Sequence, residues 1–425
     1  MNAPAPVPGS APGSRLRRKA PSEPASARAL PANRPAKSPA KEAIRVLIVD
    51  DSLTVRTIFK RMVESDGAMN VVETASSAER AIAQLEKTRV DVVLLDLEMP
   101  GMGGLEALPT ILEHARGGQV LVVSSLTQDG AEATISALSM GAADTMLKPR
   151  PGGFNEDYRS QLLGKIRALG ENQPGGEPGE ELNAAQHSDK DTDADKEPRA
   201  AKSQTAQPRQ AFRASTPSAP ALRPAPTKPP EVIAIGASTG GIHALNILLR
   251  CLTPDFDLPI LVTQHLPASF IPVFARQVEM ACARPAVIAA EGTEIRRGQV
   301  TIATGHGHMV VRRAGDRLIA KTSNEPARSG CLPSVDPMFE SLAEACNGRV
   351  LGIVLSGMGR DGLHGAQKLV DAGGTILAQN AETSAVWGMP GAVTKAGLSS
   401  LVASPEELGA RVLDLGLSVT THEPG

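Results

Sequence analysis

Residues 43–170 carry short apolar runs that alternate with longer stretches of helical period. The runs are Val46–Val49, Val71–Val72, Val90–Leu95, Val120–Val123 and Thr145–Leu147. Residues Ala78–Leu85 place apolar side chains three and four positions apart, as an amphipathic helix does. Strands that alternate with helices are typical of a parallel sheet with helices on both faces. We therefore predict a first α/β domain over residues 43–170.

Residues 231–417 repeat this pattern. Their apolar runs are Val232–Ile235, Ile260–Thr263, Val350–Leu355 and Thr375–Ala378. The stretch from Ala286 to Lys321 is richer in strand-forming residues. We predict a second α/β domain with a mainly parallel, doubly wound sheet. In such sheets the functional residues lie beyond the carboxyl ends of the strands, so those ends are where chemistry is sought.

The other segments have the composition of a chain that does not fold by itself. Residues 1–42 are rich in Ala, Pro, Ser and basic residues, and residues 171–230 are acidic at first and then basic and Pro-rich. Such segments bury too little apolar surface to become ordered. We predict a disordered tail, a flexible linker and a short tail at 418–425. Docking of the basic tail on an anionic partner is the alternative for residues 1–42.

Composition argues against several classes of function. The 425 residues are 41% apolar, which suffices for two cores, and a net charge of -2 gives no reason to expect nucleic-acid binding. No apolar run approaches the ~20 residues of a membrane span. The four cysteines, Cys251, Cys282, Cys331 and Cys346, show no metal-ligand spacing. We expect a cytoplasmic protein with reduced thiols, without nucleic-acid partners or membrane insertion.

Carboxylates follow two predicted strands of the first domain. Asp50 and Asp51 follow the first apolar run, and Asp96 follows the third. Crowded carboxylates require a divalent cation, and oxygen ligands suit Mg²⁺. Asp96 could then attack a phosphoryl donor, while Ser124 and Lys148, at later strand ends, could contact the phosphate. The alternative is purely structural: Asp51 or Ser52 caps the next helix, and Asp96 opens a turn before Pro100.

This arrangement resembles the receiver domain of two-component response regulators over residues 43–168. The resemblance implies a flavodoxin-like fold with strand order 2-1-3-4-5. It implies phosphorylation of Asp96, metal binding by Asp50, Asp51, Asp96 and the backbone carbonyl of Glu98, and phosphate contacts from the switch hydroxyl of Ser124 and from Lys148. Receivers usually carry an aromatic switch residue three positions before this lysine, where the chain has Thr145. The usual ring rotation is therefore not expected.

A Gly-rich turn at Gly236–Gly241 joins a predicted strand to a helix that begins near Ile242. Glycines in this setting can bind a phosphate at the helix N-terminus, but the dinucleotide spacing and the lysine of a nucleotide-binding loop are absent. The spacing of Gly236, Ser238 and Gly240 also fits a turn that presents a nucleophilic serine. Small residues can occupy such a turn for packing reasons as well, so the pattern alone leaves these interpretations open.

A nucleophilic serine requires a histidine base and a carboxylate that orients it. His265 ends the apolar run Pro259–Gln264 and so reaches the same sheet edge. The alternatives are His243 in the next helix, and His306, His308 and His364 in Gly-rich loops. Asp361 follows Val350–Leu355, although it could instead cap a helix. The chain order Ser, His, Asp disfavours the α/β-hydrolase fold.

Residues 231–416 resemble the catalytic domain of the chemotaxis protein-glutamate methylesterase. The matching segments are Gly236–Gly241, Gln264–Pro267, Pro333–Asp336, Leu355–Gly362 and Trp387–Pro390. The resemblance implies Ser238 as nucleophile, His265 as general base and acid, Asp361 as the residue that orients His265, and the backbone N–H of Met358 in the oxyanion hole. Thr304 replaces the usual proline and Leu266 the common methionine, and neither belongs to the triad.

The family implies demethylation of glutamyl methyl esters, with release of methanol, and deamidation of glutamines on methyl-accepting chemotaxis receptors. It implies a chemotaxis histidine kinase as phosphodonor, Mg²⁺ for the receiver, no cofactor for the hydrolase, and a monomer. A response regulator whose second domain only binds its partners is the alternative. A transcription regulator is disfavoured, because residues 231–425 contain no helix-turn-helix pattern and the basic residues concentrate in the tail and linker.

Overall fold

The computed structural model describes residues 42–125, 127–149, 153–171, 222–224 and 228–420. Nearly all of the predicted tail at 1–42 and of the predicted linker at 171–230 lies outside the described residues, as does most of the predicted tail at 418–425. Among the described helices, none combines the length and the hydropathy that a membrane span requires.

The first domain alternates five strands with five helices. The strands are β1 (Ile44–Val49), β2 (Met69–Ala75), β3 (Val92–Asp96), β4 (Gln119–Ser124) and β5 (Asp144–Leu147). The helices are α1 (Leu53–Glu64), α2 (Ala78–Leu85), α3 (Gly104–His114), α4 (Gln128–Met140) and α5 (Glu156–Glu171). The sheet is parallel with the order β2-β1-β3-β4-β5, which confirms the predicted fold and strand order.

The side chains of β1 show how this sheet is buried on both faces. Val46 and Ile48 belong to the apolar cluster formed with α1 and α5, whereas Leu47 and Val49 belong to the cluster formed with α2 and α3. This alternation follows from the two-residue period of a strand. The third strand begins at Val92 rather than at Val90, and Asp91, directly before it, accepts hydrogen bonds from the backbone and guanidinium of Arg45.

The second domain contains ten strands and six α-helices. The strands are β6 (Val232–Ala237), β7 (Ile260–Gln264), β8 (Ala286–Ile288), β9 (Glu294–Ile295), β10 (Val300–Ile302), β11 (His308–Ala314), β12 (Arg317–Ser323), β13 (Val350–Val354), β14 (Thr375–Gln379) and β15 (Ser399–Ala403). The helices are α6 (Gly241–Arg250), α7 (Ile271–Cys282), α8 (Val335–Ala345), α9 (Leu363–Asp371), α10 (Met389–Lys395) and α11 (Pro405–Thr420).

Seven of these strands form a parallel sheet in the order β15-β14-β13-β6-β7-β10-β8. Helices α6, α7 and α11 cover one face, and α8, α9 and α10 cover the other. This confirms the predicted doubly wound sheet. The remaining strands form a small antiparallel sheet, β11-β12-β9, in the stretch that was predicted to be strand-rich.

The order of the central strands determines which loops meet. Strands β13, β6 and β7 are neighbours, and the chain runs outward from β6 on one side before it returns to build β13 on the other. The loops after these strands therefore converge at the point where the winding direction reverses, which is the preferred place for a site in an open α/β sheet. In the first domain, β1 and β3 stand in the same relation.

Candidate active site and acidic cluster

The carboxylates predicted in the first domain converge at the ends of β1 and β3. Asp50, Asp51 and Asp96 each have a carboxylate oxygen within 4.8 Å of the others, and both Asp50 and Asp96 are buried. Lys148 follows β5, and its Nζ lies 2.5 Å from Asp96 Oδ2 and 3.0 Å from Asp50 Oδ2. Burial raises the pKa of Asp96 to about 6, although the contact with Lys148 opposes this shift.

The donor set of this cluster fits a hard divalent cation. Its ligand atoms are carboxylate oxygens, and two buried anions so close together need more positive charge than one lysine supplies. The backbone N–H of Glu98 donates to Asp96 Oδ1 at 3.1 Å, which brings the backbone of Glu98 beside the cluster. Ser124 Oγ is buried at the end of the neighbouring strand without a hydrogen-bond partner in the described structure. A hydroxyl in that position can donate to a phosphoryl oxygen.

Ser238, His265 and Asp361 form a continuous hydrogen-bonded chain in the second domain. His265 Nδ1 lies 3.1 Å from Ser238 Oγ, and His265 Nε2 lies 2.7 Å from Asp361 Oδ2. An ionised Asp361 fixes the proton on Nε2, so Nδ1 presents its lone pair to the serine hydroxyl. The two ring nitrogens thus exchange the roles that they have in the serine-protease template. These three residues, predicted from separate strand ends, lie together.

Two glycines bring the backbone close to Ser238. Gly240, with φ of +75°, adopts the left-handed conformation directly before α6. A Cβ at Gly357, in the loop after β13, would lie only 2.9 Å from Ser238 Cβ. The next residue, Met358, therefore belongs to a loop that touches the nucleophile candidate, and it is 46% exposed. The predicted oxyanion donor thus lies one residue from the contact with Ser238.

Asp361 is buried, and hydrogen-bond donors of the protein take the place of water around its carboxylate. Its Oδ1 accepts a hydrogen bond from Ser334 Oγ at 2.6 Å, and its Oδ2 accepts one from the backbone N–H of Val335 at 2.7 Å. Burial raises the pKa of Asp361, but the hydrogen bonds from His265, Ser334 and Val335 outweigh burial and lower it to about 2. The carboxylate is consequently ionised at any physiological pH.

Burial lowers the pKa of His265, whereas contacts with Asp361 and Cys331 raise it, and the resulting pKa is about 9. Among the described histidines, His265 is the one that hydrogen-bonds Ser238. His308 is buried and accepts the backbone N–H of Ser334, and His306 and His364 are exposed. The other histidines that the sequence offers as the base therefore make no hydrogen bond to Ser238 in the described structure.

Two family models match the chain. Residues 233–412 match the family model of the CheB methylesterase, and residues 46–153 match that of the response regulator receiver domain. The protein-glutamate methylesterase/protein-glutamine glutaminase 1 of Paramagnetospirillum magneticum is 38% identical over 390 residues, which cover 89% of this chain and 97% of that protein. The chain belongs to the protein-glutamate methylesterase/protein-glutamine glutaminase family.

Other members of this methylesterase family are similarly related. The protein-glutamate methylesterase/protein-glutamine glutaminase of Maricaulis maris is 38% identical and covers 89% of this chain and 97% of its own length. The crystal structure of the Thermotoga maritima CheB methylesterase catalytic domain is 29% identical, covers 44% of this chain and 98% of that domain, and has a TM-score of 0.43. The two relatives of 38% identity confirm the family predicted from the sequence, and the sheet orders described above confirm the fold class.

Residues of the first domain contact the loop that carries Ser238. The backbone N–H of Gly240 donates to the carbonyl of Ala143 at 2.5 Å, and Thr239 Oγ1 donates to Asp144 Oδ2 at 2.5 Å. The space between the two domains here is a cavity of about 10 Å³, whose lining includes Ser238 and His265. That volume is about one water molecule.

Helix α4 extends this contact beside the site. Its buried apolar residues belong to the same cluster as those of α6 and α7. His243 Nδ1 donates to the carbonyl of Ser139 at 2.9 Å, and Asn246 Nδ2 donates to Ser139 Oγ at 3.0 Å. His243, considered as a catalytic base from the sequence, thus lies in the contact between the domains.

Several neighbours of the methylesterase site were missed by the sequence reasoning. Ser334 belongs to a segment that resembles the family, but the sequence indicates no role for it. Its hydrogen bond to Asp361 depends on the path of a loop, which apolar periodicity does not predict. Cys331 lies beside His265 and Asp361, with one ligand atom of each within 4.8 Å of the others. The three positions are far apart in sequence, so a search for short metal-ligand spacings could not find them.

We expect His265 to titrate near pH 9, because its contacts with Asp361 and Cys331 outweigh the effect of burial. The substitution Asp361→Asn removes the neighbouring charge, so the pKa of His265 should fall well below that of the unsubstituted protein. Titration of histidine ring signals by NMR measures both values, and a His265→Gln sample assigns the signal. A wild-type pKa near 6.5, or one that Asp361→Asn leaves unchanged, contradicts this electrostatic account.

Proposed function

We propose that the chain removes methyl groups from glutamyl methyl esters of methyl-accepting chemotaxis receptors, and converts receptor glutamines to glutamate, under the control of phosphorylation at Asp96. Residues 43–170 serve as the receiver and residues 231–417 as the methylesterase domain. The observation that carries the proposal is the hydrogen-bonded chain from Ser238 through His265 to Asp361. Membership of the family supports the choice of substrate. We propose a cytoplasmic monomer.

The hydrolysis proceeds by acyl transfer. Ser238 Oγ attacks the γ-carbonyl carbon of the glutamyl ester while His265 Nδ1 takes the hydroxyl proton. Asp361 keeps the ring in the required tautomer and stabilises the imidazolium that forms. The carbonyl oxygen becomes an anion, which the backbone N–H of Met358 stabilises by a hydrogen bond.

The intermediate then collapses and the enzyme is regenerated. The C–O bond to the methoxy group breaks, and His265 gives its proton to the departing oxygen, so methanol leaves and the glutamyl acyl group stays on Ser238. Water, deprotonated by His265, attacks the acyl-enzyme, and Ser238 leaves with the proton returned by the ring. With a glutamine substrate the same steps release ammonia. The leading alternative, a regulator that only binds its receptors, releases neither product.

The receiver site supplies the regulation. Asp96 is the phospho-acceptor, and a chemotaxis histidine kinase is the phosphodonor. Mg²⁺ would be held by Asp50, Asp51, Asp96 and the backbone carbonyl of Glu98, where it would offset the charge of the phosphoryl group. Lys148 and the hydroxyl of Ser124 are placed to contact the phosphoryl oxygens, and the buried, unpartnered state of Ser124 Oγ supports this role.

Phosphorylation relieves occlusion. The unphosphorylated receiver covers Ser238 through the Asp144–Thr239 and Ala143–Gly240 contacts, and the phosphorylated form makes this contact less favourable. Phosphate shifts the open–closed equilibrium only by its differential affinity for the two forms. Thr145 lacks the ring that usually responds to the phosphate, so the activation is smaller than in receivers with an aromatic residue at this position. Strand β5 begins at Asp144, which contacts Thr239, and ends directly before Lys148, which contacts Asp96.

The substitution Ser238→Ala should reduce methanol release from methylated receptor membranes by roughly 10⁴-fold or more, because it removes the nucleophile of a triad. His265→Ala should be about as severe, and the double variant scarcely worse, since the residues act as a unit. Circular dichroism controls for folding. Retention of even a tenth of wild-type turnover by Ser238→Ala would show that another group is the nucleophile.

Asp96 should be labelled by a small phosphodonor only in the presence of Mg²⁺. Asp96→Asn preserves the shape of the side chain but lacks the nucleophilic carboxylate, so it should not be labelled. Asp51→Asn is the informative companion, because it retains Asp96 and weakens only the metal site. Labelling of Asp96→Asn, or labelling that survives chelation of Mg²⁺, argues against this assignment.

A fragment of residues 231–425 should hydrolyse the ester faster than the unphosphorylated full-length protein, because it lacks the covering receiver. Methanol release from the fragment, and from the whole protein before and after addition of phosphodonor, measures the difference. A fragment slower than the unphosphorylated whole protein is incompatible with occlusion.

Two point variants of the full-length protein test the same contact. Asp144→Ala removes the acceptor of the Thr239 hydrogen bond and should raise the unphosphorylated activity about fivefold, the effect of one hydrogen bond worth about 1 kcal/mol. Lys165 pairs with Asp144 within the receiver, so Lys165→Ala is the matched control that keeps the acceptor for Thr239. Equal activation by both variants would trace the effect to the receiver's own fold rather than to the interface.

A further inference from the structure

Cys331 places a thiol beside the proposed triad, where the hydrolytic mechanism uses none. One ligand atom from each of His265, Cys331 and Asp361 lies within 4.8 Å of the other two. Cys331 is a free cysteine and is half-buried. Leu332, the next residue, is 54% exposed. The cluster therefore combines an imidazole, a thiol and a carboxylate at a place that a small ion can reach.

These three ligand types differ in kind from those of the receiver cluster. Zinc is bound by sulfur, nitrogen and oxygen at about 2.0–2.3 Å, so neighbouring ligand atoms of one ion lie about 3.5 Å apart. Ligand atoms that already lie within 4.8 Å of one another need an adjustment of only about 1 Å. Mg²⁺ prefers oxygen ligands and would be disfavoured here. We propose that His265, Cys331 and Asp361 form a Zn²⁺-binding site, and that the bound ion inhibits the hydrolase.

The surroundings of Asp361 leave room for a metal bond. A carboxylate offers about four acceptor positions. Three are used by Ser334 Oγ, the N–H of Val335 and His265 Nε2, which leaves a lone pair on Oδ1. Residues 329–335 include Cys331 and the two donors to Asp361, the Ser334 hydroxyl and the Val335 N–H. Within this segment, Ser329 Oγ accepts a hydrogen bond from the N–H of Cys331 at 3.3 Å. The same segment thus fixes two of the three ligands, and the thiol proton leaves to solvent on binding.

Inhibition follows from the chemistry of the imidazole ring. A neutral imidazole has a single lone pair, and a metal ion and the Ser238 proton cannot both occupy it. Whichever nitrogen binds the ion, His265 ceases to be a base for Ser238. This consequence depends on the proposed hydrolase mechanism, whereas metal binding itself does not. The ion would also remove the negative charge with which Asp361 stabilises the imidazolium.

Cobalt absorption tests the binding independently of any activity. Co²⁺ added to the full-length protein, in excess Mg²⁺ that occupies the receiver carboxylates, should produce a thiolate-to-cobalt charge-transfer band that added Zn²⁺ abolishes. Cys331→Ser and Cys331→Ala should both lack the band. Cys251 is another free, half-buried cysteine, and Cys251→Ser is the matched control that should keep it. No band in the wild type, or an undiminished band in the Cys331 variants, overturns the site.

Inhibition is measured as methanol release over a Zn²⁺ series, with each variant compared with its own metal-free rate. Loss of the thiolate should raise the inhibitory Zn²⁺ concentration at least about tenfold, and Cys251→Ser should behave like the wild type. A chelator should restore the activity. Activity that a chelator does not restore but a reductant does indicates thiol oxidation and rejects the metal site. A cobalt band without inhibition retains the site but refutes its effect on hydrolysis.

Discussion

Parallel strand direction is the constraint on which both sites depend. Because all strands of each large sheet point the same way, every loop after a strand opens at the same edge, and neighbouring strands deliver their loops to one point. In the receiver this brings together carboxylates that would repel each other. In the methylesterase domain it brings together the candidate triad of Ser238, His265 and Asp361 from three separate loops. Reversal of one central strand would dismantle either site.

Burying the charge of Asp361 is possible because protein donors replace water around it. Ser334, Val335 and His265 together supply three hydrogen bonds, which keep the carboxylate ionised despite its burial. The same carboxylate raises the pKa of His265, so the proposed base is strengthened by the carboxylate that hydrogen-bonds it. A stronger base holds its proton more firmly, and neutral imidazole is accordingly scarcer at pH 7. A higher pKa of His265 thus makes its neutral ring a stronger base but leaves a smaller fraction of molecules with a neutral ring.

Much of the fold could be predicted from the sequence, because apolar period fixes strands and helices and their alternation fixes the parallel sheet. The ends of those strands then pointed to Asp50, Asp96, Ser238 and Asp361, and the structure brings each group of candidates together. Contacts that depend on loop paths or on domain docking were out of reach. Cys331 lies in a loop, where no apolar periodicity indicates the path of the chain. Asp144 directly precedes a predicted strand, and its contact with Thr239 depends on how the two domains pack.

The cavity of about 10 Å³ between the domains has a consequence for how the protein behaves in a cell. Asp144, which contacts the loop of Ser238, is covalently part of the same chain, so its local concentration at that loop does not change when the protein is diluted. Under the proposed occlusion, the fraction of closed molecules is then independent of expression level. A cell that makes twice as much of this protein would double its capacity and keep the same ratio of closed to open molecules.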